Sequence, residues 1–161
     1  MALIQISDPD NDINQKKQFS VGIDLGTTNS LIAECTNGKI TFFEDNHSKL
    51  IPSVVYKSDD ELQVGSSESK ESIKSIKRLI GLTSDQASNI NFKNMNLDLS
   101  DDLPLVCINN QKLTAIEISS KILLHLSNVA LKFKKNNVES AVITVPAYFN
   151  DLQRQATKLA A

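Results

Sequence analysis

The sequence predicts a domain that mixes strands and helices, of the α/β or α+β class. Three observations predict it. Apolar segments broken by Gly26-Thr27-Thr28 and by Asn37-Gly38 crowd the early chain. Two helix-capping signatures, Thr114…Glu117 and Asn150…Gln153, come late. Between them lies a continuous apolar stretch at 141–145, closed by Pro146. Strands come first and helices return later, which is the signature of a mixed fold.

Taken in order, residues 1–18 read as a polar arm with a short apolar start at Leu3, Ile4 and Ile6. Residues 19–25 form a first strand and 29–36 a second. Asn37-Gly38 is a hairpin dipeptide, because a type I′ turn needs positive φ at both central positions. Residues 39–44 form the third strand of an antiparallel meander. Pro52 opens a short strand at 53–57, and 61–64 is placed to pair with it. Ile73, Ile76, Leu79 and Ile80 recur at helical spacing, so 68–80 is expected as a helix with Gly81 as its C-cap. Residues 82–104 are polar and carry little pattern.

Residues 105–113 read as a hairpin with Asn109-Asn110 at its tip. Thr114 and Glu117 make a capping box. The helix that they open runs to about Lys134, with Ile118, Ile122, Leu126, Val129 and Phe133 turned inward. The strand at 141–145 has no polar alternation and is expected to be buried on both faces. Asn150 and Gln153 cap a last helix, which reaches Ala161 without a Gly, Pro or basic stop. A fragment of a longer protein is therefore expected.

The chain has 161 residues, with 17 basic and 19 acidic side chains and a net charge of −2. That balance excludes a strong unspecific attraction to nucleic acid or anionic lipid. The longest apolar runs fall far short of the ~20 residues of a membrane span. Asp8, Asp10 and Asp12 precede any lysine, so no secretory leader is expected. Cys35 and Cys107 stand alone and outside any CxxC pair, which suits a reducing, cytoplasmic setting. His47 and His125 read as ordinary surface or edge residues, and no metal-ligand spacing is present. The five glycines form neither a P-loop nor a dinucleotide fingerprint. A bound nucleotide would have to be held some other way.

The segment Gly22-Ile23-Asp24-Leu25-Gly26-Thr27-Thr28-Asn29-Ser30 offers one. Glycine lets backbone come close to a ligand. Turn N–H groups and two threonine hydroxyls can surround phosphate oxygens. The carboxylate of Asp24 repels phosphate but can order the waters of a bridging Mg²⁺. The plain alternative is a hairpin that uses Gly and Thr for turn geometry alone.

This hairpin resembles the first phosphate-binding hairpin of the actin, hexokinase and heat-shock chaperone superfamily. Ile76-Lys77-Arg78-Leu79-Ile80-Gly81 resembles the helix carrying the catalytic lysine in DnaK-type seventy-kilodalton heat-shock chaperones. Residues 141–151, followed by Gln153-Arg154-Gln155-Ala156-Thr157, resemble their strand–proline–helix connector. The opening residues 1–9 and the short link from Gly65 to Lys77 are similar to the branch of that family dedicated to iron–sulfur cluster assembly.

The resemblance implies an actin-like ATPase (ribonuclease H-like) fold, truncated to lobe I: a base at 19–44 and 117–161 with an inserted subdomain at 45–116. It implies ATP or ADP with Mg²⁺, and potassium, as cofactors. Asp24 would hold the metal through water, with Gly26, Thr27, Thr28 and Asn29 at the phosphate turn. Lys77 and Asp151 would act at the γ-phosphate and attacking water, and Pro146 and Arg154 would form the allosteric hinge and its relay. The implied partners are a J-domain cochaperone (HscB-like) and an iron–sulfur scaffold (IscU-like) reached through a peptide-binding domain beyond this chain, with no nucleic acid and no membrane. Taken alone, Lys77 reads as a solvated surface charge, Pro146 as a strand terminator and Arg154 as a helix-surface residue. A sugar or carboxylate kinase and a non-catalytic actin-like module remain the other two readings, because sugar kinases also carry such a hairpin.

Overall fold

The computed structural model describes residues 19–59, 61–66, 71–92, 95–108 and 110–161, and the expected arm at 1–18 lies outside them. In chain order the elements are β1 (Ser20–Asp24), β2 (Asn29–Thr36), β3 (Lys39–Phe42), β4 (Ile51–Pro52), β5 (Val55–Ser58), β6 (Glu61–Val64) and β7 (Ser72–Ile73). A 3₁₀ turn (Ile76–Arg78) and the short helix α1 (Ser84–Ser88) come next. They are followed by β8 (Leu97–Asp98), β9 (Leu105–Ile108), β10 (Gln111–Thr114), α2 (Ala115–Lys134), β11 (Ser140–Thr144) and α3 (Asp151–Ala160).

The main sheet runs β11-β1-β2-β3, with β4 paired to β2 at Asn29 and Ser30. The first three strands are the expected antiparallel meander. Its turn has φ +52° at Asn37 and +76° at Gly38, as a type I′ hairpin requires. Strand β11 pairs with β1 in parallel, with Asp24 opposite Thr144. Two small antiparallel sheets, β6-β5-β7 and β10-β9-β8, come from the region between β4 and α2. Val21, Ile23 and Leu25 are buried while Gly22 and Asp24 are exposed, so β1 turns one face to the core.

Helix α2 carries the expected cap. The Thr114 hydroxyl accepts from the Glu117 N–H at 3.2 Å, and the Glu117 carboxylate accepts from the Thr114 N–H at 2.8 Å. The bond from the Thr114 N–H, joined by one from the Thr114 hydroxyl to the same carboxylate oxygen at 2.8 Å, holds the Glu117 carboxyl below the usual carboxylate range. Ile118, Ile122, Leu126 and Val129 are buried, as their spacing predicts. Phe133 is not: it is 58% exposed, in the last turn, with its ring centroid 5.7 Å from that of Phe43.

Four other expectations need correction. The region expected as a helix at 68–80 is, where described, the strand β7 followed by the 3₁₀ turn. Ser72 and Ile73 pair with Tyr56 and Val55, and Ser75 sits at φ +60°, which no helix interior allows. Ile73, Ile76, Leu79 and Ile80 are all buried, so the spacing reported burial rather than helix. The strand expected at 53–57 starts later, as β5 from Val55, because the Ser53 N–H is still engaged with Thr28 O beside the β4–β2 pairing. The polar stretch 82–104 holds α1, with a capping box of its own at Thr83 and Gln86, and β8. Finally, β11 runs from Ser140 to Thr144 and is an edge strand among the described residues. Ser140, Ala141 and Val142 are exposed rather than buried on both faces. Among the described residues no helix is long and apolar enough to cross a membrane.

Candidate nucleotide site at the ends of β1 and β11

Two parallel strands, β1 and β11, finish side by side, and ligands of open α/β sheets bind beyond such carboxyl ends. Asp24 is the last residue of β1, exposed, and its Oδ1 accepts a 2.7 Å hydrogen bond from the Thr144 hydroxyl. The turn that follows is too tight for any side chain at position 26. A Cβ on Gly26 would lie 1.8 Å from Asn29 O. The Gly26 N–H donates to Ser30 Oγ at 3.2 Å, and Ser30 Oγ is 2.8 Å from Ser53 Oγ. Both serines are buried. With Ser53 N–H on Thr28 O at 2.8 Å, the turn is braced from beneath at both ends. It presents Thr27, Thr28 and Asn29 outward, all exposed.

Lys77 stands in the middle of the 3₁₀ turn, half-buried, with Nζ 6.0 Å from the centroid of the Phe149 ring. Burial pushes its ammonium below the ordinary lysine range, and the Asp24 carboxylate pulls part of the way back. Lys77 and Asp24 therefore feel each other's charge without forming an ion pair. Phe149 is buried and belongs to the connector after β11. Arg154 clips that connector, donating from Nε to Phe149 O at 3.0 Å and from a terminal nitrogen to Ala147 O at 3.3 Å. Half-buried Pro146 accepts the Phe149 N–H at 3.1 Å. Asn150 caps α3, its Oδ1 accepting from Gln153 N at 2.9 Å.

Asp151 lies in the first turn of α3, exposed, and its side chain makes no hydrogen bond or ion pair among the described residues. Asp24, the Thr27–Thr28–Asn29 turn and Lys77 are thus gathered at one edge, while among the described residues no hydrogen bond or ion pair joins Asp151 to Lys77. Gly81 explains how the lysine segment reaches the connector. It has φ +69°, and a Cβ there would meet Gln153 Cα at 2.6 Å. The glycine expected as a helix C-cap is in fact where this segment passes against the N-terminus of α3.

Four residues at or under this edge were not singled out by sequence: Ser30, Ser53, Thr144 and Phe149. The serines carry no readable signal beyond being polar within apolar strands. Thr144 is legible only once its register with Asp24 is known. His125 bonds Asp45 Oδ2 at 3.0 Å, tying α2 to the segment after β3, as an edge histidine should.

Residues 20–161 match the family model described as Hsp70 protein. The chain belongs to the Hsp70 family, and its mixed α/β architecture is that of the family's actin-like ATPase fold. Over its whole length it is similar to proteins named chaperone protein HscA homolog. The identity is 38% over 169 residues with that of Rickettsia typhi, and 40% over 172 residues with that of Pasteurella multocida. Both alignments cover 100% of this chain and 28% of the relative, so the chain spans a little over a quarter of the curated relatives it matches.

A nucleotide with Mg²⁺ is the group this family implies, and the donor set fits it. Among the described residues no three His, Cys, Asp or Glu side chains form a metal cage. Mg²⁺ needs none, because it keeps several waters and binds through one or two carboxylates together with phosphates. Asp24 supplies one exposed carboxylate beside the turn hydroxyls.

Proposed function

We propose that this chain is the N-terminal part of the ATPase domain of an ATP-driven chaperone. Its base is 19–44 and 117–161, its inserted subdomain 45–116, and together they make most of lobe I. The observation that carries the reading is the half-buried Lys77, lodged on the Phe149 ring and within the field of Asp24. A solvated surface lysine has no reason to give up hydration beside a strand end. A lysine that must stabilise a transferring phosphoryl group has one.

In this reading, Thr27, Thr28 and Asn29 hold phosphate oxygens by hydroxyl and backbone N–H groups. Asp24 would hold Mg²⁺ through water, and potassium would be a second cation at the phosphates. Bound there, Mg²⁺ would offset the negative charge of the phosphates. Lys77 places a fixed positive charge at the γ-phosphate, and Asp151 helps to orient the attacking water. Pro146 and Arg154 form the junction that reports nucleotide state to the rest of the protein. Pro146 restricts its own φ and that of Val145, while Arg154 fixes the connector through two carbonyls. The likeness of residues 1–9 and of the short link from Gly65 to Lys77 to the iron–sulfur branch of the family supports a role in iron–sulfur cluster assembly, with a J-domain cochaperone (HscB-like) and a scaffold (IscU-like).

Phosphate release from ATP by the full-length protein tests this reading. Lys77→Ala should lower kcat about 10²- to 10³-fold while nucleotide affinity holds, as expected for a charge that acts mainly in the transition state. Normal turnover by that variant would return Lys77 to the status of a surface residue.

A further inference from the structure

We propose that Thr144 is a positioning residue for Asp24, its hydroxyl turning the carboxylate so that one oxygen remains for the Mg²⁺ waters. The inference rests on the reading of Asp24 given above and adds a residue of another strand to it.

Asp24 and Thr144 are register partners at the last position of two parallel strands, so their side chains leave the sheet on the same face. The 2.7 Å hydroxyl–carboxylate distance lies in the short range of charge-assisted bonds. The terminal torsion of an aspartate is otherwise broad and roughly two-fold. An exposed carboxylate without a partner would sample that whole range. With Oδ1 held by Thr144, the torsion is restricted and Oδ2 takes a defined direction. Loss of such an outer partner acts on metal binding rather than on the fold, because the bond is exposed and its stability contribution is small.

Valine fits the same strand position, with the same branching and nearly the same shape, and lacks only the donor. The test is calorimetric binding of ADP to the full-length protein across a Mg²⁺ titration, with melting curves as a check on folding. Thr144→Val should raise the Mg²⁺ concentration for half-maximal tightening of ADP a few-fold, less than the ~10-fold that partners of direct metal ligands cost, because Asp24 acts through water. Metal-free ADP affinity should be unchanged. Thr144→Ser, which keeps the hydroxyl, should recover most of the loss, and Thr144→Ala should repeat it should valine disturb the strand. If Asp24→Asn shifts the Mg²⁺ dependence and Thr144→Val does not, the positioning role is wrong and the site reading stands. If Asp24→Asn shifts nothing, the site reading fails and takes this inference with it. Equal loss with and without Mg²⁺, or no recovery by serine, also overturns it.

Discussion

Two segments bring charged side chains to the same edge of the sheet, and they are held there by different physics. Residues 144–154 are held mostly by bonds to their own neighbours. Asn150 caps α3 and Arg154 ties down Ala147 and Phe149, partners that lie three to seven residues apart. Residues 71–81 have little regular structure of their own: a two-residue strand and one 3₁₀ turn. Buried Ile73, Ile76, Leu79 and Ile80 and the close pass of Gly81 against Gln153 hold them in place. Lys77 is therefore placed by tertiary packing, and Arg154 by local bonding. The first kind of placement should fail by damage at a distance, and the second only by damage to its own few bonds.

The largest effect expected from this contrast is at Gly81. Gly81→Ala meets both a positive φ and backbone atoms of α3, so the cost should be about 2–4 kcal/mol. Denaturant melts measure it, and ATP turnover of the full-length variant should fall as well, since Lys77 shifts with its segment. A cost below about 1 kcal/mol would mean that the segment yields easily and that packing does not place Lys77.

Asn150→Ala, by contrast, removes one helix cap and should cost about 1 kcal/mol with little effect on Lys77. If it proves more damaging than Gly81→Ala, the comparison is reversed.

The smallest effect concerns the charge on Lys77. Its folded-state pKa is lowered, with burial as the largest cause. Below that value the lysine is charged in both folded and unfolded states, and the desolvation penalty is fully present. Stability from this group rises with pH through the window between the lowered value and the ordinary value near ~10.4. Lys77→Met should thus be at least as stable as the parent at pH 7, with the advantage shrinking as pH passes ~10. Paired melts at the two pH values check the sign. A variant less stable at pH 7 would show that attraction to Asp24 outweighs burial.

The same division governs what could be read from the chain in advance. The Asn37-Gly38 turn, the Thr114–Glu117 box and the Asn150–Gln153 cap were legible, since each needs only residues up to three positions apart. Of the helix expected at 68–80, the described residues 71–80 form a short strand and a 3₁₀ turn instead. Apolar spacing records which side chains are buried, and a short irregular segment packed against a core produces the same spacing. The strand at 141–145 was apolar enough for a central position, yet its neighbours among the described residues leave one edge open. Of the candidate site, the Asp24 turn and the lysine segment were recognisable from motifs. The bracing of that turn by Ser30 and Ser53 was invisible.

By itself, then, the sequence determined the meander, the capped helices α2 and α3 and the tight turn after Asp24, because turn dihedrals and cap bonds depend on adjacent residues. Only the tertiary structure decided that Thr144 reaches Asp24 across 120 residues, that Ser53 meets Ser30 across 23, and that Lys77 lies on Phe149. Those contacts follow from strand register and from the close passage that Gly81 permits. A one-residue slip in register would turn every side chain of a strand to the other face, and no local signal in the chain specifies which register two distant strands adopt.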